Sequence, residues 1–159
     1  MRRLLPALFA PALALLACFT LARAAAATYN DTVAGSQTAS GVNEGISLNL
    51  NATGDLPGIL ILSLKHEGGR VSDVSWTLTV LPPDADASSN ERSKLAGSIN
   101  GGTLTLDANG IVTSADSVQL TVRSGAGQYA GVSSGSATLS LSADARIPTK
   151  LVGPLAFNF

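Results

Sequence analysis

The sequence predicts an all-β protein built as an antiparallel, eight-stranded up-and-down barrel, and three observations carry that prediction. Apolar residues alternate with Ser, Thr and Asn at a period of two in one short segment after another, the pattern of strands with one face inward. Clusters of Gly, Asn and Pro separate these segments at about the 8–12-residue spacing of antiparallel sandwiches and barrels. No helix-period segment lies between them, which excludes parallel α/β architectures. Composition agrees: of 159 residues 45% are hydrophobic, 13% charged and 4% aromatic, with 16 glycines. That is too apolar for a disordered chain and too rich in glycine for a helical bundle.

Residues 1–27 read as a secretory signal peptide. Arg2 and Arg3 precede the apolar run Leu4 to Leu16, and the small residues Ala24 to Ala27 close it, giving the charged, apolar and small-residue parts in order. Ala25 and Ala27 place cleavage before Thr28. Pro6, Pro11 and Arg23 argue against an uncleaved anchor, and no later stretch approaches the roughly 20 apolar residues of a membrane helix. Leu15-Leu16-Ala17-Cys18 resembles a lipoprotein signal, although Leu16 is bulky for its place and acylation at Cys18 would leave an apolar leader on the chain. Cleavage after Ala27 removes the one cysteine, and with it any disulfide or thiolate metal site. It also removes three of the ten cations, leaving seven against eleven acids. No cationic surplus is available to neutralise phosphates, so nucleic acid binding is excluded. Arginine outnumbers lysine seven to three, which fits a GC-rich bacterial source; the signal peptide and the mild acidity left after its removal fit a secreted or periplasmic destination.

Residues 28–44 are polar, small and without periodicity, and are expected to form a flexible arm. Residues 45–159 are expected to form the single barrel domain. Ile46, Leu48 and Leu50 alternate with Ser47 and Asn49 in a first strand, broken by the segment to Gly58 with Pro57. Ile59 to Lys65 and Val71 to Leu81 form a hairpin about Glu67-Gly68-Gly69. In the return strand Val74, Trp76, Leu78 and Val80 share one face. Pro82 and Pro83 end it, and a polar loop runs to Arg92. Leu95 to Ile99 is a short strand turned by Asn100-Gly101-Gly102 into another that carries Leu104 and Leu106. After the turn Ala108-Asn109-Gly110 come Val118, Leu120 and Val122, then Ala137, Leu139 and Leu141, then Leu151 to Phe159. Eight strands close around an interior just wide enough for side chains or one small ligand.

Between the sixth and seventh strands, glycines at 125, 127, 131 and 135 surround Tyr129. This segment resembles the glycine-rich segment around an aromatic residue in the allene oxide cyclase and dirigent barrels. Trp76 on an early strand, followed by Leu104, Leu106 and Val118 to Val122 before the glycines, adds to the resemblance, which spans Gly45 to Phe159. It departs at Ser124-Gly125-Ala126-Gly127, where the family has Gly-Gly-Thr-Gly, and no counterparts of the plant enzymes' pocket residues are found. The resemblance implies a calycin-like antiparallel barrel and, as one reading of activity, an isomerase or cyclase acting on a small apolar substrate. On physical grounds alone the glycines serve close backbone approach while Tyr129 plugs a barrel end. The loop lacks the Lys-Ser/Thr ending of a phosphate cradle.

Few residues offer chemistry. His66 is the single histidine, which excludes a histidine metal cluster and leaves an exposed turn residue, or a general base paired with Asp73 or Glu67. Asp84, Asp86, Ser88, Asn90 and Glu91 begin like a calcium loop, but Ser89 and Leu95 stand where the turn glycine and bidentate acid belong. Asp73, Asp107 and Asp116 read as surface or turn carboxylates rather than a glycosidase pair. A C-terminal aromatic, Phe159, also ends outer-membrane barrels, but five aromatics after residue 27 cannot form two girdles. The expectation is an exported, soluble, non-enzymatic barrel with no catalytic residues, metal or cofactor and no stable membrane insertion. Its interior, including Trp76, Leu78, Leu104, Leu106, Leu120 and Tyr129, either holds a small apolar ligand or is filled and leaves the outside for interactions, among them homo-oligomer contacts.

Overall fold

The computed structural model describes residues 26–40, 45–67, 70–72, 74–81 and 92–159. The signal-peptide, Cys18 and calcium-loop readings and Asp73 lie outside these, as does the side chain of His66. The strands are β1 (Thr28–Ser40), β2 (Ile46–Gly54), β3 (Gly58–Glu67), β4 (Arg70–Ser72), β5 (Val74–Val80), β6 (Ser93–Leu106), β7 (Val112–Ala126), β8 (Gly135–Ala143) and β9 (Leu151–Asn158). A 3-10 turn, Gly127–Tyr129, precedes β8. Every pairing is antiparallel, and β1 with β9 closes the ring. Both β4 and β5 pair with β3, and the register slips by one residue between Lys65↔Ser72 and Leu62↔Trp76. They are two halves of one bulged barrel strand, so the ring has eight strands in up-and-down order.

Two of the expected elements differ. Thr28–Ser40, expected as part of a flexible arm, is β1, paired along its length with β2 and with β9. The positions that face inward are Tyr29, Asp31, Val33, Gly35 and Gln37. Only Val33 among them is aliphatic, so the period of two does not show in hydropathy. The expected turn at Asn100-Gly101-Gly102 is instead a bulge within the continuous strand β6, whose pairing with β7 shifts between Ile99 and Gly101 and again before Thr103. Gly102 has φ +130°, and a Cβ there would lie 2.7 Å from the Val118 Cα, so the chain bends without reversing. One strand is gained and two become one, and the count of eight stands.

The other hairpins form where turn chemistry places them. Glu67 pairs with Arg70 across the first. In the β6–β7 turn the Asp107 carboxylate accepts from the N–H groups of Asn109 and Ile111, at 2.8 and 2.9 Å. These donors hold its carboxyl below the usual range.

The inner wall is apolar and every barrel strand contributes to it. Val33, Leu50, Leu62, Trp76, Leu120 and Phe157 are all at most 1% exposed. The Trp76 indole reaches across β6 at Gly97, where a Cβ would sit 2.9 Å from Nε1, and donates to the Thr121 carbonyl at 3.3 Å. Its polar atom is thereby satisfied inside the core. The outer wall carries Asn49 and Asn51 on β2, Thr77 and Thr79 on β5, and Ser136 and Thr138 on β8. These outward side chains are polar, whereas those of a membrane barrel form an apolar band; Ile59 and Ile61 on β3 stand exposed among them. No helix among the described residues is long and apolar enough to cross a membrane.

Candidate functional site

The strand β1 runs from one end of the barrel to the other and places an inward polar residue at each, Gln37 and Asp31. Gln37 crosses one mouth to the β6–β7 hairpin: its Oε1 accepts from Val112 N–H at 2.9 Å and its Nε2 donates to the Gly110 carbonyl at 3.3 Å. The strands bearing these partners are not neighbours of β1. The amide therefore acts as a crossbar with both of its ends engaged.

Asp31 occupies the opposite end, 5% exposed, between Gly54 of β2 and Leu155 of β9. Its Oδ1 accepts from Leu56 N–H at 2.9 Å, and its Oδ2 is buried without a partner. The corner after β2 is shaped to this carboxyl. Gly54, at φ +142°, brings the chain so close that a Cβ would lie 2.5 Å from the Asn30 carbonyl and 2.7 Å from Asp31 Oδ1. Asp55 then turns back to accept from Asn30 N–H at 2.8 Å. Burial pushes the Asp31 carboxyl above its ordinary value; the Leu56 N–H opposes the rise and the charge of Asp55 adds to it.

Aromatic rings complete this end. Tyr29 stacks on Phe159 with centroids 4.9 Å apart, Tyr129 meets Phe159 edge-on at 6.1 Å, and Phe157 joins Phe159 to Trp76 in the core. Ser93 anchors the turn that carries Tyr129 by accepting from Gln128 N–H at 3.1 Å. Burial raises the Tyr129 phenol; a hydrogen bond from Gln128 opposes this, and Tyr29 and Asp31 add to it. Of the loop glycines, 125 and 135 are close approaches, to Tyr129 and Phe159, whereas a Cβ at Gly131 would meet open space.

Four of the six interior residues singled out in the sequence, Trp76, Leu78, Leu104 and Leu120, are buried in one core cluster. Leu106 and Tyr129 are half-buried and stand at opposite ends of the barrel, so the six do not line one site. A void large enough for water would leave accessible area on its lining, and the buried residues just named have almost none. Among the described residues, a groove of about 510 Å³ lies on the outer wall, between Ser36, Asn51 and Thr53 and the loop residues Ile147, Thr149 and Lys150. Among the described residues no three His, Cys, Asp or Glu side chains gather as metal ligands.

Sequence reasoning missed Asp31 and Gln37. The signal available was their spacing from Tyr29 and Val33, which puts them on one face of a strand. No family model, curated protein or solved structure matches this chain. The fold and its ends define a class by themselves: a closed, internally packed up-and-down barrel with a polar outer wall and two side-chain plugs.

Proposed function

We propose that this chain is an exported, non-enzymatic barrel that works through its outside, as a structural or interaction protein. The observation that supports this most is the packing of the inner wall, where side chains from every strand meet with almost no accessible area, with Gln37 spanning one mouth and the corner after β2 held to Asp31 at the other. Such an interior leaves a small apolar ligand no room without displacing leucines. On the outside, Ile59 and Ile61 stand exposed, 36% and 44%, between Asn49, Asn51, Thr77 and Thr79 on the neighbouring strands. An uncharged face of this kind suits contact with another protein surface or a second copy, because no like charges meet across it.

The test is uptake of an environment-sensitive apolar dye by the purified protein, alongside Trp76→Ala. The wild type is expected to take up none and the variant, with a cavity in place of the indole, to gain a saturable site. Stoichiometric uptake by the wild type would return the barrel to the ligand carriers. The mass of the exported chain, expected to begin at Thr28, tests the address.

A second reading, an isomerase or cyclase of the allene oxide cyclase and dirigent type, is favoured by one specific observation. Asp31 is a buried carboxyl with a free oxygen, the kind of group that can act as an acid toward a bound substrate. That reading needs substrate space beside Asp31, and the dye experiment on the wild type bears on it directly.

A further inference from the structure

We propose that Asp31 is a proton-operated latch: carrying its proton it lets the Gly54–Pro57 corner close over one end of the barrel, and on losing the proton it drives that corner open. The geometry supplies the reason. A neutral carboxyl can remain among Leu56, Leu155 and the aromatic rings at modest cost with its Oδ1 on the Leu56 N–H. An ionised one would hold a full charge at 5% exposure with a single donor, its second oxygen unpartnered. One N–H does not replace the water shell of a carboxylate.

Among the described residues nothing offers the charge relief. On the corner itself the neighbour is Asp55, of the same sign, and on the 3-10 turn and on β1 the titratable neighbours are the phenols Tyr129 and Tyr29. The flanking strands β2 and β9 contain no charged residue. Relief therefore comes by moving the carboxylate into water. The corner is held to β1 by Leu56 N–H on Asp31, Asn30 N–H on Asp55 and Asp55 N–H on the Asn30 carbonyl, and to the end of β5 by Leu81 N–H on the Pro57 carbonyl; the charge at Asp31 works against the first of these ties and against the burial of Leu56 beside it.

The test is amide hydrogen exchange of the full barrel, residue by residue, from about pH 4 to about pH 8, corrected for the intrinsic base-catalysed rate. In the wild type the opening equilibrium at Leu56 and Asn30 is expected to rise by roughly tenfold or more across that range. In Asp31→Asn it is expected to stay flat. In Asp55→Asn, which removes the like charge, the rise should begin at lower pH. The Val112 amide, held by Gln37 at the other end, serves as the control and should not respond. A flat wild-type profile at Leu56, or an unchanged rise in Asp31→Asn, overturns the latch. Should Asp31→Asn fail to fold, the displacement between wild type and Asp55→Asn decides, and coincident curves overturn it.

Discussion

The two ends of the barrel are closed from the same strand, by residues about 20 Å apart at the usual rise of a strand, and they are closed by different chemistry. At one end the Gln37 amide uses its acceptor on Val112 and its donor on Gly110. An amide has no proton to lose near neutrality, so this plug is the same at any physiological pH. At the other end Asp31 uses one oxygen and leaves the second bare. The comparison teaches that a buried polar plug is unconditional when every atom is paired, and conditional when a titratable atom is not.

Four substitutions break or sharpen that contrast. Phe157→Ala removes the fully buried ring that joins Trp76 to Phe159 at the Asp31 end. It is expected to cost about 3–5 kcal/mol in denaturant unfolding, and a loss under about 1 kcal/mol would mean that the rings are a loose lid instead of core. Gln37→Leu leaves the Val112 N–H and Gly110 carbonyl without their partner. The expected loss is about 1–3 kcal/mol, equal at acid and neutral pH. Unequal losses would show that the plug titrates after all.

Asp31→Asn tests the other end. Because its carboxyl is raised in the folded chain, the folded state binds more protons than the unfolded state between the ordinary carboxyl value and the raised one. Wild-type stability should therefore fall as pH rises through that window and level off above it. The variant should lack that fall and exceed the wild type near neutrality by on the order of 1 kcal/mol. Unfolding midpoints over a pH series check this, and parallel curves would refute it. The smallest effect is expected from Ile61→Thr on the outer wall, within about 0.5 kcal/mol at either end of the pH range. Light scattering on that variant reports whether the face it alters joins copies of the chain.

The barrel was legible in the sequence where one face is aliphatic and the other hydroxylic, as in Val74 to Val80 or Ala137 to Leu141. It was not legible in β1, because a strand that supplies the plugs must place polar residues inward, and inward polarity erases the period by which strands are read. The same cause hid the candidate site. Asp31 and Gln37 lie on the one strand whose inner face is built for the barrel ends. Nor could the sequence separate the bulge at Gly102 from a hairpin turn, since Asn-Gly-Gly serves both; the choice is made by the partner strand β7, which keeps pairing past it.

The pairing of Thr28 with Asn158 that closes the ring governs how the molecule reaches its native state. Every other seam joins segments near one another along the chain, but this one joins its far-separated parts, so it carries the largest loop-closure entropy. It is the step expected to limit the folding rate. Until Leu151–Asn158 docks, β1 presents an unpaired edge, and the interval before docking is when the chain is most exposed to pairing with a neighbour.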